Sequence, residues 1–187
     1  MSSRQNPDQL LKAIQDEEVN QNKGHLKIFF GYAAGVGKTY AMLEAAHIAK
    51  QQGIDVVAGY IEPHERPKTA ALLNGLEVIP TKEVTYNGMI LHEFDIDAAL
   101  QRSPELILVD ELAHTNAEGC RHAKRYQDIK ELLRAGIDVY TTVNVQHIES
   151  LCDVVASITE VVVRERIPDS IFDHANQVEL IDIEPQD

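Results

Sequence analysis

The chain is short of positive charge, short of cysteine and without a long apolar run, and each shortage removes a class of function. Its 17 lysines and arginines face 30 aspartates and glutamates, for a net charge of −13. That balance argues against a broad electrostatic grip on nucleic acid or on an anionic membrane surface, so any phosphate bound here has to be held locally. Cys120 and Cys152 are the two cysteines, with no metal-ligand spacing, and no secretory signal opens the sequence. Free thiols in a cytosolic setting are therefore expected. No run of ~18 apolar residues is present to cross a bilayer, so this segment is expected to make no membrane contact of its own. Internal repeats and low-complexity tracts are also lacking.

What is present is a chain of 187 residues, 44% of them hydrophobic and 25% charged. That length suits one well-packed α/β domain and falls short of two. Residues 1–24 read as a flexible or helical extension: Leu10, Leu11, Ile14 and Val19 recur at roughly helical spacing after Pro7, among Gln, Asn, Asp and Glu. Residues 25–187 read as the domain proper.

The stretch KIFFGYAAGVGKTYAM, Lys27 to Met42, organises the rest. An apolar strand meets a loop with Gly31, Gly35 and Gly37, then Lys38 and Thr39, then a helix-forming segment. Glycines let backbone N–H groups of the loop (Gly31, Ala34, Gly35, Val36, Gly37, Lys38, Thr39, Tyr40) converge on an anion. Lys38 supplies a point charge for the β- and γ-phosphates, and Thr39 offers a hydroxyl to Mg²⁺. The helix that follows aims its positive end at the same place. The spacing is irregular, since G-x-x-x-x-G-K-[ST] wants glycine where Tyr32 stands and the chain has Gly31 one residue earlier. Either the loop is one residue longer, or Gly31 ends the strand and Gly35 makes the close approach.

Further along, Thr39 to Gln52 reads as a helix stopped by Gly53, and Ile54 to Ile61 as a second, parallel strand. Glu62 to Pro67 is a polar loop at that strand's C-terminal end, where open parallel sheets bind ligands. Thr69 to Asn74 suggests a short helix and Leu76 to Ile79 a short strand. Glu83 to Phe94, with Asn87-Gly88 in the middle, is a hairpin pattern expected at the sheet's edge. A helix over Asp95 to Arg102 follows, then the buried-strand run Leu106 to Val109.

That strand ends on Asp110 and Glu111. Beside a phosphate loop, Asp110 is placed to hold Mg²⁺ through water and Glu111 to polarise an attacking water; the alternative is an acidic helix cap. Ala113 to Arg125 is a polar loop carrying His114, Arg121, His122, Lys124 and Arg125. Tyr126 to Ala135 reads as a helix and Val139 to Val145 as a strand. Asn144 and His147, at that strand's end, either sense a terminal phosphate or cap the helix from Ile148 to Ala156. Val161 to Arg164 and Val178 to Ile183 read as late strands.

With these segments laid out, the chain resembles the N-terminal cytoplasmic domains of the KdpD family, membrane-bound sensor histidine kinases of potassium homeostasis. The residues that carry the resemblance are FFGYAAGVGKTYAML (Phe29 to Leu43), EPHERP (Glu62 to Pro67), LVDELAHTNAEGCRHAKRYQDIKELL (Leu108 to Leu133) and GIDVYTTVNVQHIESLCDVV (Gly136 to Val155). Family members also lack glycine at the place of Tyr32. They commonly have glycine where this chain has Glu65, and Pro-Gly-Ser where it has Glu118, Gly119 and Cys120.

The resemblance implies a three-layer α/β fold like that of P-loop NTPases, with a mainly parallel sheet and an edge hairpin. It implies ATP and Mg²⁺ as ligands, with Gly35, Gly37, Lys38 and Thr39 in the nucleotide loop and Asp110 and Glu111 in the second acidic motif. It also implies a place on the cytoplasmic side of an inner-membrane protein. The remaining domains of the sensor, and a response regulator or a potassium-transport complex, would then be partners. Whether ATP is hydrolysed, transferred to a protein hydroxyl or only bound stays open at this point, as does a purely docking role.

Overall fold

The computed structural model describes residues 22–62, 67–160 and 162–182. The helical pattern read within residues 1–21 lies outside these, as does most of the Glu62 to Pro67 loop.

Six parallel-paired strands form one sheet: β1 (Leu26–Gly31), β2 (Val56–Tyr60), β3 (Glu77–Val78), β6 (Leu106–Val109), β7 (Asp138–Asn144) and β8 (Gln177–Ile181), in the order β3-β2-β6-β7-β1-β8. All residues of β2 and β6 are buried. An apolar run without alternation is what a parallel strand covered on both faces needs. In β1 the side chains of Ile28 and Phe29 belong to opposite cores, and in β6 so do Ile107 and Leu108.

One core is closed by helix α1 (Lys38–Gln51), through Met42, Leu43, Ala46 and Ala49, with α2 (Pro67–Leu73) beside it. The opposite core takes Ile96 and Ala99 of α3 (Ile96–Arg102), Ile129, Leu132 and Leu133 of α4 (Arg125–Arg134), and Ile171 of α6 (Ser170–Asp173). Helix α5 (Glu149–Thr159) follows a single 3-10 turn at Val145–His147. The three-layer α/β architecture expected from the sequence is thus present.

The hairpin forms between β4 (Lys82–Tyr86) and β5 (Met89–Glu93), with Asn87 and Gly88 both at positive φ, 48° and 77°. That pair of conformations matches the twist of an antiparallel ribbon. The ribbon is a two-stranded sheet of its own and does not extend the six-stranded one. The strand expected over Val161 to Arg164 is not formed by Val162 to Arg164. Three valines favour extended backbone there, but extended backbone becomes a strand only by pairing with a sheet edge, and residues 162–164 pair with none of the six strands. Residues 162–166 instead run as a strap, pinned where Ile167 bridges Ile148.

Candidate functional site

The site lies at the C-terminal ends of β1, β6 and β7. Gly31 is the last residue of β1, paired with Asn144 on one side and Ile181 on the other, so the strand ends there and the loop begins at Tyr32. Tyr32 is half exposed and needs no glycine. Gly31 does: a Cβ on it would sit 2.7 Å from Val36 Cγ2 and 2.9 Å from Lys38 Cδ, where the loop folds back over the strand end. Gly35 and Gly37 hold φ values of 87° and 96°, left-handed conformations that let the loop turn its amides inward. Helix α1 then starts at Lys38 with no acidic residue in its first turn, which suits an N-terminus facing an anion.

A cavity of about 400 Å³ opens above the loop. Its walls include Ala34, Gly35, Gly37, Lys38, Thr39 and Tyr40 from the loop and α1. Asp110 and Glu111 come from the end of β6, and Asn144 from the end of β7. The residues picked out in the sequence converge here, with two exceptions: Gly31 lies behind the loop, and Val36 is buried in the core under it.

Asp110 is buried and is the hub of the polar contacts. Thr39 Oγ1 donates to its Oδ2 at 3.1 Å, and the Glu62 amide to the same oxygen at 3.3 Å. The Thr142 hydroxyl donates to Oδ1, as does the Glu111 amide at 3.1 Å. The next helix along the chain after Asp110 and Glu111 is α4, which starts only at Arg125, so neither residue caps a helix that follows it. Nor do Asn144 and His147 cap α5, whose N-cap is Ile148. His147 Nδ1 lies 2.8 Å from the Glu165 carbonyl and must donate to it, tying the strap over the cavity.

Lys38 reaches the cavity with its Nζ donating to the Ala33 carbonyl at 2.8 Å. Burial lowers its pKa from the ordinary lysine value, and the charges of Asp110 and Glu111 oppose that shift. Glu111 is shifted the other way: desolvation first, then the charges of Glu62 and Asp110, raise its proton affinity, while Arg125 and His114 pull it back. Asn144 Oδ1 is buried without a hydrogen-bond partner, an unsatisfied acceptor on the wall between Lys38 and Asp110.

Several residues of the site were not legible in the sequence. Thr142, Glu93 and Arg125 supply or support the contacts around Asp110, and Glu165 follows directly on the segment Val161 to Arg164 expected to be a strand. Arg125 had one signal: an arginine opening a helix opposes the helix dipole and needs a reason to be there.

A model of the osmosensitive K+ channel His kinase sensor domain, KdpD, matches residues 22–187. The chain belongs to the KdpD sensor-domain family. It is 65% identical over 184 residues to the sensor protein KdpD of Clostridium acetobutylicum, an alignment covering 98% of this chain and 20% of that protein. The KdpD sensor of Escherichia coli is 55% identical over 184 residues, with the same shares. That of Mycobacterium tuberculosis is 52% identical over 170 residues, 91% of this chain and 20% of that protein. The chain spans about a fifth of the length of these curated KdpD relatives. Among the described residues no helix is long and apolar enough to cross a membrane, and both cysteines are free.

Proposed function

We propose that this domain binds ATP with Mg²⁺, and that nucleotide occupancy tunes the kinase and phosphatase output of a potassium-responsive sensor histidine kinase of which it is the cytoplasmic front part. The observation that carries the reading is the convergence of Lys38, Thr39, Asp110, Glu111 and Asn144 on one cavity, although they come from three separate strand ends.

The residues fit the ligand. Gly35, Gly37 and the first residues of α1 line the cavity, which suits binding of an anion by backbone N–H groups and a helix N-terminus, and Lys38 adds the cation that the phosphates need. Among the described residues no cage of His, Cys, Asp or Glu surrounds a metal position. Mg²⁺ needs none, because it is commonly held by one or two carboxylates or hydroxyls plus the phosphates themselves; Thr39 and Asp110, already in contact, would supply these. When bound, the ion neutralises and orients the phosphate oxygens. Asn144, with its free acceptor atom, stands at the end of the strand between β1 and β6 and is suited to report on the far end of the triphosphate.

Glu111 favours a second reading, phosphoryl transfer to water or to a protein hydroxyl. Its carboxylate lines the cavity with raised proton affinity, as suits a group that takes a proton from an attacking oxygen. Binding and transfer use the same parts, because phosphoryl transfer asks mainly for positioning and charge neutralisation. The remaining sensor domains, a response regulator or a potassium-transport complex are the partners through which occupancy would act. Incubating the chain with γ-labelled ATP and Mg²⁺, with and without these proteins, tests the scheme. Bound but intact ATP supports regulation by occupancy, and free phosphate or phosphoprotein supports transfer. Absence of binding refutes both.

A further inference from the structure

Arg125 is fully buried, at 0% exposure, an expensive place for a guanidinium. Its partners do not account for it as a stability device. The carboxylate Glu93 Oε2 is 3.4 Å from Nη2, Nε has no partner, and the guanidinium carbon lies 4.0 Å from the centre of the Tyr60 ring. Its best hydrogen bond is to a main-chain oxygen, from Nη1 to the Asp110 carbonyl at 3.1 Å.

That carbonyl belongs to the peptide joining Asp110 to Glu111. On the other side of the same peptide, the Glu111 N–H donates to Asp110 Oδ1 and to Thr142 Oγ1, both at 3.1 Å. The peptide plane is therefore gripped at its oxygen and at its nitrogen. Immediately after it, Glu111 holds φ at 58°, a left-handed conformation that costs a side-chain-bearing residue energy and that no helix end or hairpin turn accounts for here.

We infer that Arg125 is a positioning residue: by holding the Asp110 carbonyl it keeps Glu111 in the left-handed turn that sets its carboxylate on the cavity wall. The functional half of this inference rests on the reading of Glu111 as the group that handles the attacking oxygen; the conformational half stands on the geometry alone. Glu93 completes the device. It sits at the base of the hairpin and accepts from Arg125, from His114 at 3.0 Å and from the Ala117 amide at 3.0 Å. Lysine in place of Arg125 would keep the charge but lose the planar fork that reaches the carbonyl and Glu93 together.

The test is Arg125→Lys, followed by two readouts. The HN–Hα coupling and Cα shift of Glu111, by NMR, report its φ directly; calorimetry and single-turnover assays with MgATP separate affinity from rate. The expected result is that Glu111 leaves its left-handed values, ATP affinity is retained and turnover falls roughly 10²-fold, as for a reacting group displaced by about an ångström. Tyr60→Leu, which removes the ring beneath the guanidinium and leaves the arginine in place, is expected to act in the same direction more weakly. It decides the matter should Arg125→Lys fail to fold. Glu111 keeping its left-handed values in a folded variant overturns the inference. A shift of Glu111 in a chain whose parent turns over no ATP supports the positioning and removes the catalytic reading of Glu111 instead.

Discussion

Two arginines sit at opposite ends of β2, each bound to acidic partners, and they differ in almost every other respect. Arg102, at the N-terminal end, makes four hydrogen bonds of 2.8–2.9 Å to Asp55 and Glu77, with a third of its side chain in water. Arg125, at the C-terminal end, has no exposure, longer contacts and an unsatisfied nitrogen. Good geometry in water is worth little, since solvent competes for the same charges. Poor geometry out of water is costly to create and more costly to break. The well-made cluster joins elements remote from the cavity, while the imperfect one borders Asp110 and Glu111. This contrast is expected where a fold accepts a local cost to hold a site.

The comparison can be broken most forcefully at Arg125. Arg125→Ala should lower stability by about 3–5 kcal/mol in a denaturant titration, because it empties a fully buried side-chain site and leaves Glu93 and the Asp110 carbonyl each short of a donor. A loss no larger than that of an ordinary surface substitution would mean that the buried cluster is not coupled as described.

Acid sharpens the contrast next. Burial alone would raise the pKa of Glu93, but the His114 hydrogen bond and charge, the Ala117 amide and Arg125 outweigh it and hold the carboxyl below its ordinary value of 4.5. A carboxylate with a depressed folded pKa contributes stability above the unfolded pKa and loses it as pH falls through the folded one. The parent should therefore lose stability below about pH 4.5 more steeply than Glu93→Gln, as seen by chemical denaturation across acid pH.

Glu111 carries the opposite sign. Its raised folded pKa means that the folded state binds the proton more tightly, so stability falls as pH rises through and above the usual glutamate value. Glu111→Gln should raise the melting temperature modestly at neutral pH, and the gain should shrink as the pH is lowered. Loss of turnover in the same variant would mark a residue kept for function at a cost in stability. Arg102→Ala, last, should barely move the melting temperature, and added salt should make even that difference vanish.

The parts legible in the sequence were those whose signal is local. Leu106 to Val109 reads as a buried strand because four apolar residues in a row can have no wet face, and the carboxylate after it falls where strand ends meet ligands. The loop was legible from glycines placed between a strand and a helix, although only the fold-back of Lys38 over Gly31 explains the irregular spacing. Arg125 is indistinguishable in the sequence from the loop's other cations, because its burial depends on Tyr60 and Glu93, remote in sequence. Thr142 was hidden for the same reason, as a threonine in a strand has many uses. The strap after α5 does not follow from its sequence, because β propensity in its valines says nothing about whether the segment reaches a sheet edge to pair with.

Lys38, with Thr39 and Asp110 beside it, is proposed to hold the phosphates of ATP. Calorimetric titration of MgATP into the parent chain and into Lys38→Ala tests it most directly, with circular dichroism to show that both are folded. Saturable binding by the parent is expected, weakened when EDTA removes Mg²⁺, with binding abolished or strongly weakened in the variant. Equal affinity in the two proteins would contradict it.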